Sequence, residues 1–144
     1  MPCTLTLSIL SESQEGDIGN DWKYELKAKV YSGAMTGQDA IAVPKHNLDS
    51  GTTQAPPGPP APVVIPAGES GAEIKVELRL AAEEVDLLQN DTGEKSVDIH
   101  LTCPAPGADP VVDEREISVG VTEAPSGIGN AVLKLQIRME LANA

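Results

Sequence analysis

Carboxylate and amide side chains concentrate in two short segments of the sequence. The first covers residues 11–21 and has the sequence SESQEGDIGND, and the second covers residues 81–94 and has the sequence AAEEVDLLQNDTGE. Neither segment contains a lysine or an arginine, so no basic side chain within them neutralises their charge. Calcium binds six to eight oxygen ligands, mainly carboxylates and carbonyls, and does so in flexible loops. Two loops of this composition could together form a calcium site.

Two interpretations of these acidic segments stay open. In the first, carboxylates from both segments converge on calcium, because two acidic loops placed side by side would repel each other without a cation. The candidate ligands are Asp17, Asp21, Glu84, Asp86 and Asp91. In the second interpretation the segments are ordinary solvated turns, since Asp, Asn and Gly favour turn geometry.

The elements that must position these residues are predicted by period-two alternation of apolar and polar side chains. The predicted strands cover residues 3–10, 22–30, 72–80, 96–103, 113–121 and 131–141, with weaker strands near 40–43 and 63–65. Each is polar on one face, which is typical of antiparallel sheets that pack one face on a core. We therefore predict an all-β fold, a two-sheet antiparallel β-sandwich of about eight strands.

A proline-rich stretch, QAPPGPPAP at residues 54–62, interrupts this pattern. We expect it to be a solvated loop of extended polyproline character within one domain of residues 1–144. Pro56 and Pro59 have the PxxP spacing of ligands for aromatic-lined grooves, although no basic residue flanks them to set an orientation. A plain loop is the simpler interpretation.

The acidic segments and their flanking strands resemble a known family. The run LTLSILSESQEGDIGNDWKYELKAKVY is similar to the opening of a C2 domain, a calcium- and phospholipid-binding β-sandwich, in which a strand leads through an acidic loop to a strand that begins near an aromatic residue. The run VELRLAAEEVDLLQNDTGEKSVDIHL resembles the third calcium loop of that family. The resemblance places Asp17 and Asp21 in the first calcium loop, Glu84 and Asp86 at the paired acidic positions, and Asp91 at the following one.

The resemblance implies a C2-like architecture, although an immunoglobulin-like one has the same strand pattern. It also implies a binding module that uses calcium to recruit a membrane or protein partner. Ile18, Leu87 and Leu88 lie at the predicted loop tips and could enter lipid. Two alternatives remain: a structural or interaction sandwich of capsid, appendage or adhesion type without a metal, and a carbohydrate-binding module. The second alternative has only one Trp and two Tyr for sugar stacking.

Charge and missing motifs exclude other classes. With 10 basic and 22 acidic residues the formal net charge is -12, which argues against a nucleic-acid partner. No apolar run approaches the roughly 20 residues of a transmembrane helix, and the first ten residues do not resemble a signal peptide. We therefore expect a soluble protein and favour the cytoplasm. His46 and His100 are isolated, and no nucleophile elbow, zinc or nucleotide motif occurs, so we predict no enzymatic activity.

Cys3 and Cys103 are the only cysteines, and both have the inward parity of their predicted strands. Strand direction places both at the end of the sandwich opposite the acidic segments. A disulfide is geometrically feasible if the two strands are neighbours. A reducing compartment instead favours buried free thiols, which we prefer, and the disulfide stays open as the alternative.

Overall fold

In the computed structural model, which describes residues 1–86, 90–123, 127 and 129–144, two antiparallel sheets pack face to face. This confirms the predicted all-β, two-sheet sandwich. The nine strands found in the described residues are β1 (Pro2–Gly16), β2 (Asp21–Ser32), β3 (Ala34–Asn47), β4 (Thr53–Gln54), β5 (Val63–Glu69), β6 (Glu73–Glu84), β7 (Asp91–Thr102), β8 (Val111–Thr122) and β9 (Asn130–Asn143). None of the described residues belongs to a helix that could cross a bilayer.

The strands divide into two sheets, one of five strands and one of four. In sheet 1, β1 pairs with β9 on one side and with both β4 and β5 on the other, and β8 follows β9. In sheet 2 the order is β3-β2-β6-β7. Across the sandwich β7 packs beside β8 and β3 beside β5, so the two open sides are closed by pairs of edge strands.

The core between the sheets is almost entirely aliphatic, as a chain without Phe requires. Strand β2 shows the predicted alternation most clearly. Its inward positions are all buried, namely Trp22, Tyr24, Leu26, Ala28 and Val30. Trp22 is fully buried and lies opposite Glu84 of β6 in the ladder.

An irregularity in β1 changes which of its side chains point inward. The register against β9 shifts between Ile9 and Ser11, so Leu10 is an extra residue and is 44% exposed. One inserted residue moves every later side chain to the other face. Glu12 and Gln14 are therefore buried, and β1 continues to residue 16. The prediction that residues 11–21 form a loop was wrong for residues 11–16.

The second acidic segment is also mostly strand. Strand β6 continues to Glu84 and β7 begins at Asp91, so the connection covers only residues 85–90, whereas a loop over 81–94 was predicted. Strand β3 is likewise much longer than the predicted 40–43, and it includes His46. These strands extend further because their backbones continue to pair with neighbouring strands beyond the end of the apolar alternation.

Cys3 and Cys103 form a disulfide, with their Cα atoms 6.3 Å apart. Cys3 belongs to sheet 1, and Cys103 directly follows β7 of sheet 2, so the bridge joins the two sheets rather than neighbouring strands. The predicted location, opposite the acidic segments, is correct. The prediction of free thiols was wrong, because facing strands of the two sheets bring the sulfur atoms together across the core. Disulfides of this kind are typical of oxidising compartments.

Candidate functional site

Three carboxylates converge at the end of the sandwich opposite the disulfide. One oxygen from each of Glu84, Asp86 and Asp91 lies within 4.8 Å of the other two. Glu84 is 2% exposed and Asp91 is fully buried, whereas Asp86 is exposed. These three residues are called the carboxylate cluster below.

The β6–β7 hairpin brings Glu84 and Asp91 together. Glu84 ends β6, Asp91 begins β7, and the two residues lie directly opposite each other in the ladder. Glu84 continues the inward row of β6, which also contains Leu80 and Ala82. Burying a charged group is expensive unless it is paired. The fold thus places two acids where apolar residues would be the more stable choice.

The surroundings of the Glu84 carboxyl change its pKa. Burial, a hydrogen bond with Asp86 and the negative charges of Asp86 and Asp91 raise its pKa, while a hydrogen bond from the backbone of Asp21 lowers it. The resulting pKa is about 7, against an ordinary value of 4.5. The Oε2 atom of Glu84 is buried and accepts no hydrogen bond from the part of the chain that the structure describes. Glu84 therefore has a buried carboxylate oxygen that is available as a ligand.

Gly19 leaves the space that the Glu84 carboxylate occupies. A Cβ atom at Gly19 would overlap with that carboxylate, and the φ of 142° at Gly19 is a conformation that favours glycine. The Gly19 carbonyl oxygen accepts hydrogen bonds from Trp22 Nε1 at 3.2 Å and from Gln14 Nε2 at 3.3 Å. These bonds hold the β1–β2 connection against the cluster.

Asn90 organises the exposed side of the cluster. Its Oδ1 accepts a hydrogen bond from the backbone N–H of Asp86 at 3.0 Å, and its Nδ2 donates to Glu83 Oε1 at 3.0 Å. Glu83 also forms an ion pair with Lys23 at 2.8 Å, which lowers the pKa of Glu83. The backbone that carries Asp86 is thus connected through side chains to β6 and β2.

Of the five predicted metal ligands, the structure brings together the three of the carboxylate cluster, and Asp17 and Asp21 do not belong to that group. Asp17 Oδ1 instead accepts a hydrogen bond from the backbone N–H of Asn130 at 3.3 Å. The Asp21 side chain is exposed, and its carbonyl oxygen accepts a hydrogen bond from the N–H of Val85 at 2.7 Å. Asp21 therefore supports the site through its backbone, because β2 pairs with β6 up to this point.

Other residues singled out in the sequence have simpler outcomes. Ile18 is buried at 8% exposure, so it is not a loop tip available to lipid. Leu87 and Leu88, the other predicted tip residues, lie outside the described residues. Pro56 is buried, so the PxxP spacing does not present both of its prolines to a groove.

Sequence reasoning missed a third buried carboxylate, which lies outside the cluster. Glu12 is fully buried and accepts hydrogen bonds from the Tyr24 hydroxyl at 2.6 Å and from Gln54 Nε2 at 2.9 Å. Its Oε2 also lies 2.6 Å from Nε2 of His46, whose Nδ1 is 2.7 Å from the Pro44 carbonyl oxygen. Burial, the hydrogen bond to Glu12 and the charge of Glu12 raise the pKa of Tyr24 above its ordinary value.

The Glu12 network connects the two sheets, since Glu12 and Gln54 belong to sheet 1 and Tyr24 and His46 to sheet 2. The only sequence signal for it was the alternation S-E-S-Q-E at residues 11–15, which is equally typical of an acidic loop. Both oxygens of Glu12 have hydrogen-bond partners within the protein, so we interpret this carboxylate as a structural group rather than a ligand site.

Comparisons with protein-family models, with curated proteins and with solved structures find no significant match to this chain. The chemistry of the carboxylate cluster therefore has to be argued from its own geometry.

Proposed function

We propose that this chain is a non-enzymatic binding module whose carboxylate cluster holds a divalent cation, with calcium as the best candidate. The observation that carries the proposal is the buried Oε2 of Glu84, an oxygen without a hydrogen-bond donor on a carboxylate that converges with two others. A cation would neutralise this group of acids and supply the missing partner. The sequence resemblance to C2 domains points in the same direction.

The spacing of the oxygens fits calcium. Ligand oxygens lie about 2.3–2.6 Å from Ca²⁺, so two oxygens on the same ion are at most about 5 Å apart. The three oxygens of the cluster lie within 4.8 Å of one another. Carboxylates bind calcium through one or both oxygens, and water completes the shell of six to eight ligands. The exposed position of Asp86 leaves a route for the ion to enter.

Calcium is expected to raise the melting temperature of the protein in a dose-dependent way. A ligand that binds only the native state at 100 times its Kd stabilises that state by about 2.7 kcal/mol. Asp86→Asn and Asp91→Asn are expected to abolish the shift. Asp98→Asn is the matched control, because Asp98 is an exposed residue of the same strand as Asp91 and lies away from the cluster. An unchanged melting temperature of the parent protein at saturating calcium would refute the proposal.

Terbium luminescence gives a second readout that does not depend on stability. Trp22 is the only tryptophan and lies opposite Glu84 in the β2–β6 ladder. Excitation of its indole should therefore sensitise emission from Tb³⁺ bound at the cluster, and calcium should displace the signal by competition. Emission that is equally strong in Asp91→Asn would locate the lanthanide elsewhere and contradict the assignment.

In the absence of metal, stability is expected to fall as pH rises from about 4.5 to about 7. Folded Glu84 keeps its proton over this range while the unfolded chain has lost it, so the native state is favoured at the low end and that advantage disappears as pH passes the folded pKa. We expect Glu84→Gln, which cannot ionise, to remove about 1–3 kcal/mol of this pH dependence. Urea denaturation of both proteins at several pH values, in chelator, measures the difference. Parallel pH profiles for the two proteins would contradict it.

Calcium-dependent recruitment of a membrane or a protein is the use we propose for the module. Co-sedimentation with anionic vesicles, in calcium and in chelator, tests whether the partner is a membrane. If the protein sediments with the vesicles in neither condition, a membrane is excluded and a protein is the partner we propose. For the carbohydrate alternative, two of the three aromatic residues are not accessible for stacking on a sugar, because Trp22 is fully buried and Tyr24 is 4% exposed. An interaction sandwich without a metal is the reading that remains if calcium has no effect.

A further inference from the structure

The outer face of sheet 2, which points away from the core, contains a groove of about 620 Å³. It runs across β3, β2, β6 and β7 near the end of the sandwich that holds the carboxylate cluster, but on the opposite face of the sheet. The residues that define it are Glu25, Ala42, Pro44, Ala81, Glu83 and Glu94. It is called the outer groove below.

Small outward side chains form the floor of the outer groove. Ala42, Glu25, Ala81 and Glu94 lie side by side in one row across the four strands. Two methyl groups thus alternate with longer side chains, and the exposed ring of Pro44 extends the apolar floor along β3. Pockets of about 300–1,000 Å³ with an apolar lining and a few polar groups are typical ligand sites.

Charge distinguishes one group in the groove from the others. At the rim, Lys23 pairs with Glu83 at 2.8 Å, and Arg79 pairs with Glu94 at 2.7 Å. Glu25 is exposed between the two alanines, and none of the ion pairs found in the described ranges includes it. The charge of Glu25 also interacts with Arg79, but Arg79 is paired with Glu94, so Glu25 is the one carboxylate of the groove without an ion pair of its own in the described ranges, on a chain whose formal net charge is -12.

We propose that the outer groove is a docking site for a protein segment that inserts a lysine or arginine side chain flanked by apolar residues. The stem of such a side chain is apolar and packs on surfaces such as Ala42, Ala81 and Pro44, while its charged end reaches a carboxylate such as Glu25. The acidic surface of the chain attracts a basic partner over longer distances. Three carboxylates, those of Glu25, Glu83 and Glu94, line the groove against one ammonium group, that of Lys23, which disfavours an anionic ligand. A sugar would find no aromatic ring among the groove's outward side chains.

The test uses two dye-labelled peptides with blocked ends, ALRLA and ALELA, and measures binding by fluorescence anisotropy in chelator. Chelator separates this proposal from calcium binding, because Glu84 and Asp91 face the other side of the sheet. We expect saturable binding of ALRLA, at least about tenfold tighter than that of ALELA. Glu25→Lys reverses the central charge and Ala81→Leu fills the groove, and each is expected to weaken binding of ALRLA by about tenfold or more.

The matched control is Glu116→Lys, which makes the same change in net charge at an exposed position of β8 on sheet 1. Its affinity for ALRLA should stay within about twofold of the parent. Equal weakening by Glu116→Lys and Glu25→Lys would show general charge attraction and overturn the proposal. Absence of saturable binding, equal affinity for the two peptides, or an undiminished affinity of a folded Ala81→Leu would overturn it as well. Circular dichroism and melting temperature verify that each variant is folded.

Discussion

Replacing Glu12 with alanine is expected to lower the free energy of unfolding by about 3–5 kcal/mol. The carboxylate is fully buried and is the common acceptor for Tyr24, His46 and Gln54. Its removal leaves these groups without their partner and opens a cavity at the contact between the two sheets. Breaking one side of a buried, hydrogen-bonded charge network is among the most destabilising single changes.

Two further variants separate charge from volume in this network. Glu12→Gln keeps the volume but directs an amide group toward donors, and we expect a smaller loss of about 1–3 kcal/mol. Glu15→Gln is the control, since Glu15 is an exposed acid on the same strand and should change stability by less than about 0.5 kcal/mol. Urea denaturation followed by Trp22 fluorescence measures all three. A Glu12→Ala protein as stable as the Glu15→Gln protein would show that the network contributes nothing.

The Glu12 network also shows where sequence patterns stop being informative. Alternation in β1 correctly predicts that Leu5 and Leu7 point inward, and the same parity carried forward would point Ser11 inward and Glu12 outward. The extra residue at Leu10 reverses that parity, and it is visible only in the register with β9. A local pattern contains no information on that register, so the buried Glu12 and Gln14 resembled residues of a solvated loop.

The carboxylate cluster was partly predictable because its members are close in sequence. Glu84 and Asp91 are joined by a short hairpin connection, and any hairpin over these residues would bring them together. Including Asp17 and Asp21 required two distant loops to meet with matched side-chain directions, which depends on the packing of the two sheets. The inward direction of Glu84 was likewise concealed, because β6 was predicted to end at residue 80 rather than at Glu84.

The outer groove had no sequence signal of its own. Alanines at 42 and 81 are unremarkable in separate strands, and they become a continuous floor only because Glu25 of the intervening strand places them in one row. The outward alternation of β2 was predicted correctly, and it is this alternation that leaves Glu25 exposed at the centre of the face.

Removal of the disulfide is the second large effect that we expect. Cys3 and Cys103 are 100 residues apart, and in the chain-entropy account closing a loop of about this length restricts the unfolded state by about 4–5 kcal/mol. The double variant Cys3→Ala/Cys103→Ala should therefore lose about 2–5 kcal/mol of stability. Both side chains are 1% exposed, so replacing them also leaves a small void between the sheets.

Reductant separates the covalent bond from the packing of the two sulfur atoms. Dithiothreitol should lower the urea midpoint of the parent protein and leave that of the double variant unchanged, because only the parent has a bond to break. If the parent in oxidising buffer titrates with two free thiols after denaturation, or is indifferent to reductant, the bridge contributes nothing to stability.

The two large effects act at opposite ends of the same interface, since Glu12 joins the sheets near the carboxylate cluster and the disulfide joins them at the far end. Mutations at sites this far apart are expected to be additive within about 0.5 kcal/mol, and the triple variant Cys3→Ala/Glu12→Ala/Cys103→Ala measures whether the two ends of the interface are energetically independent.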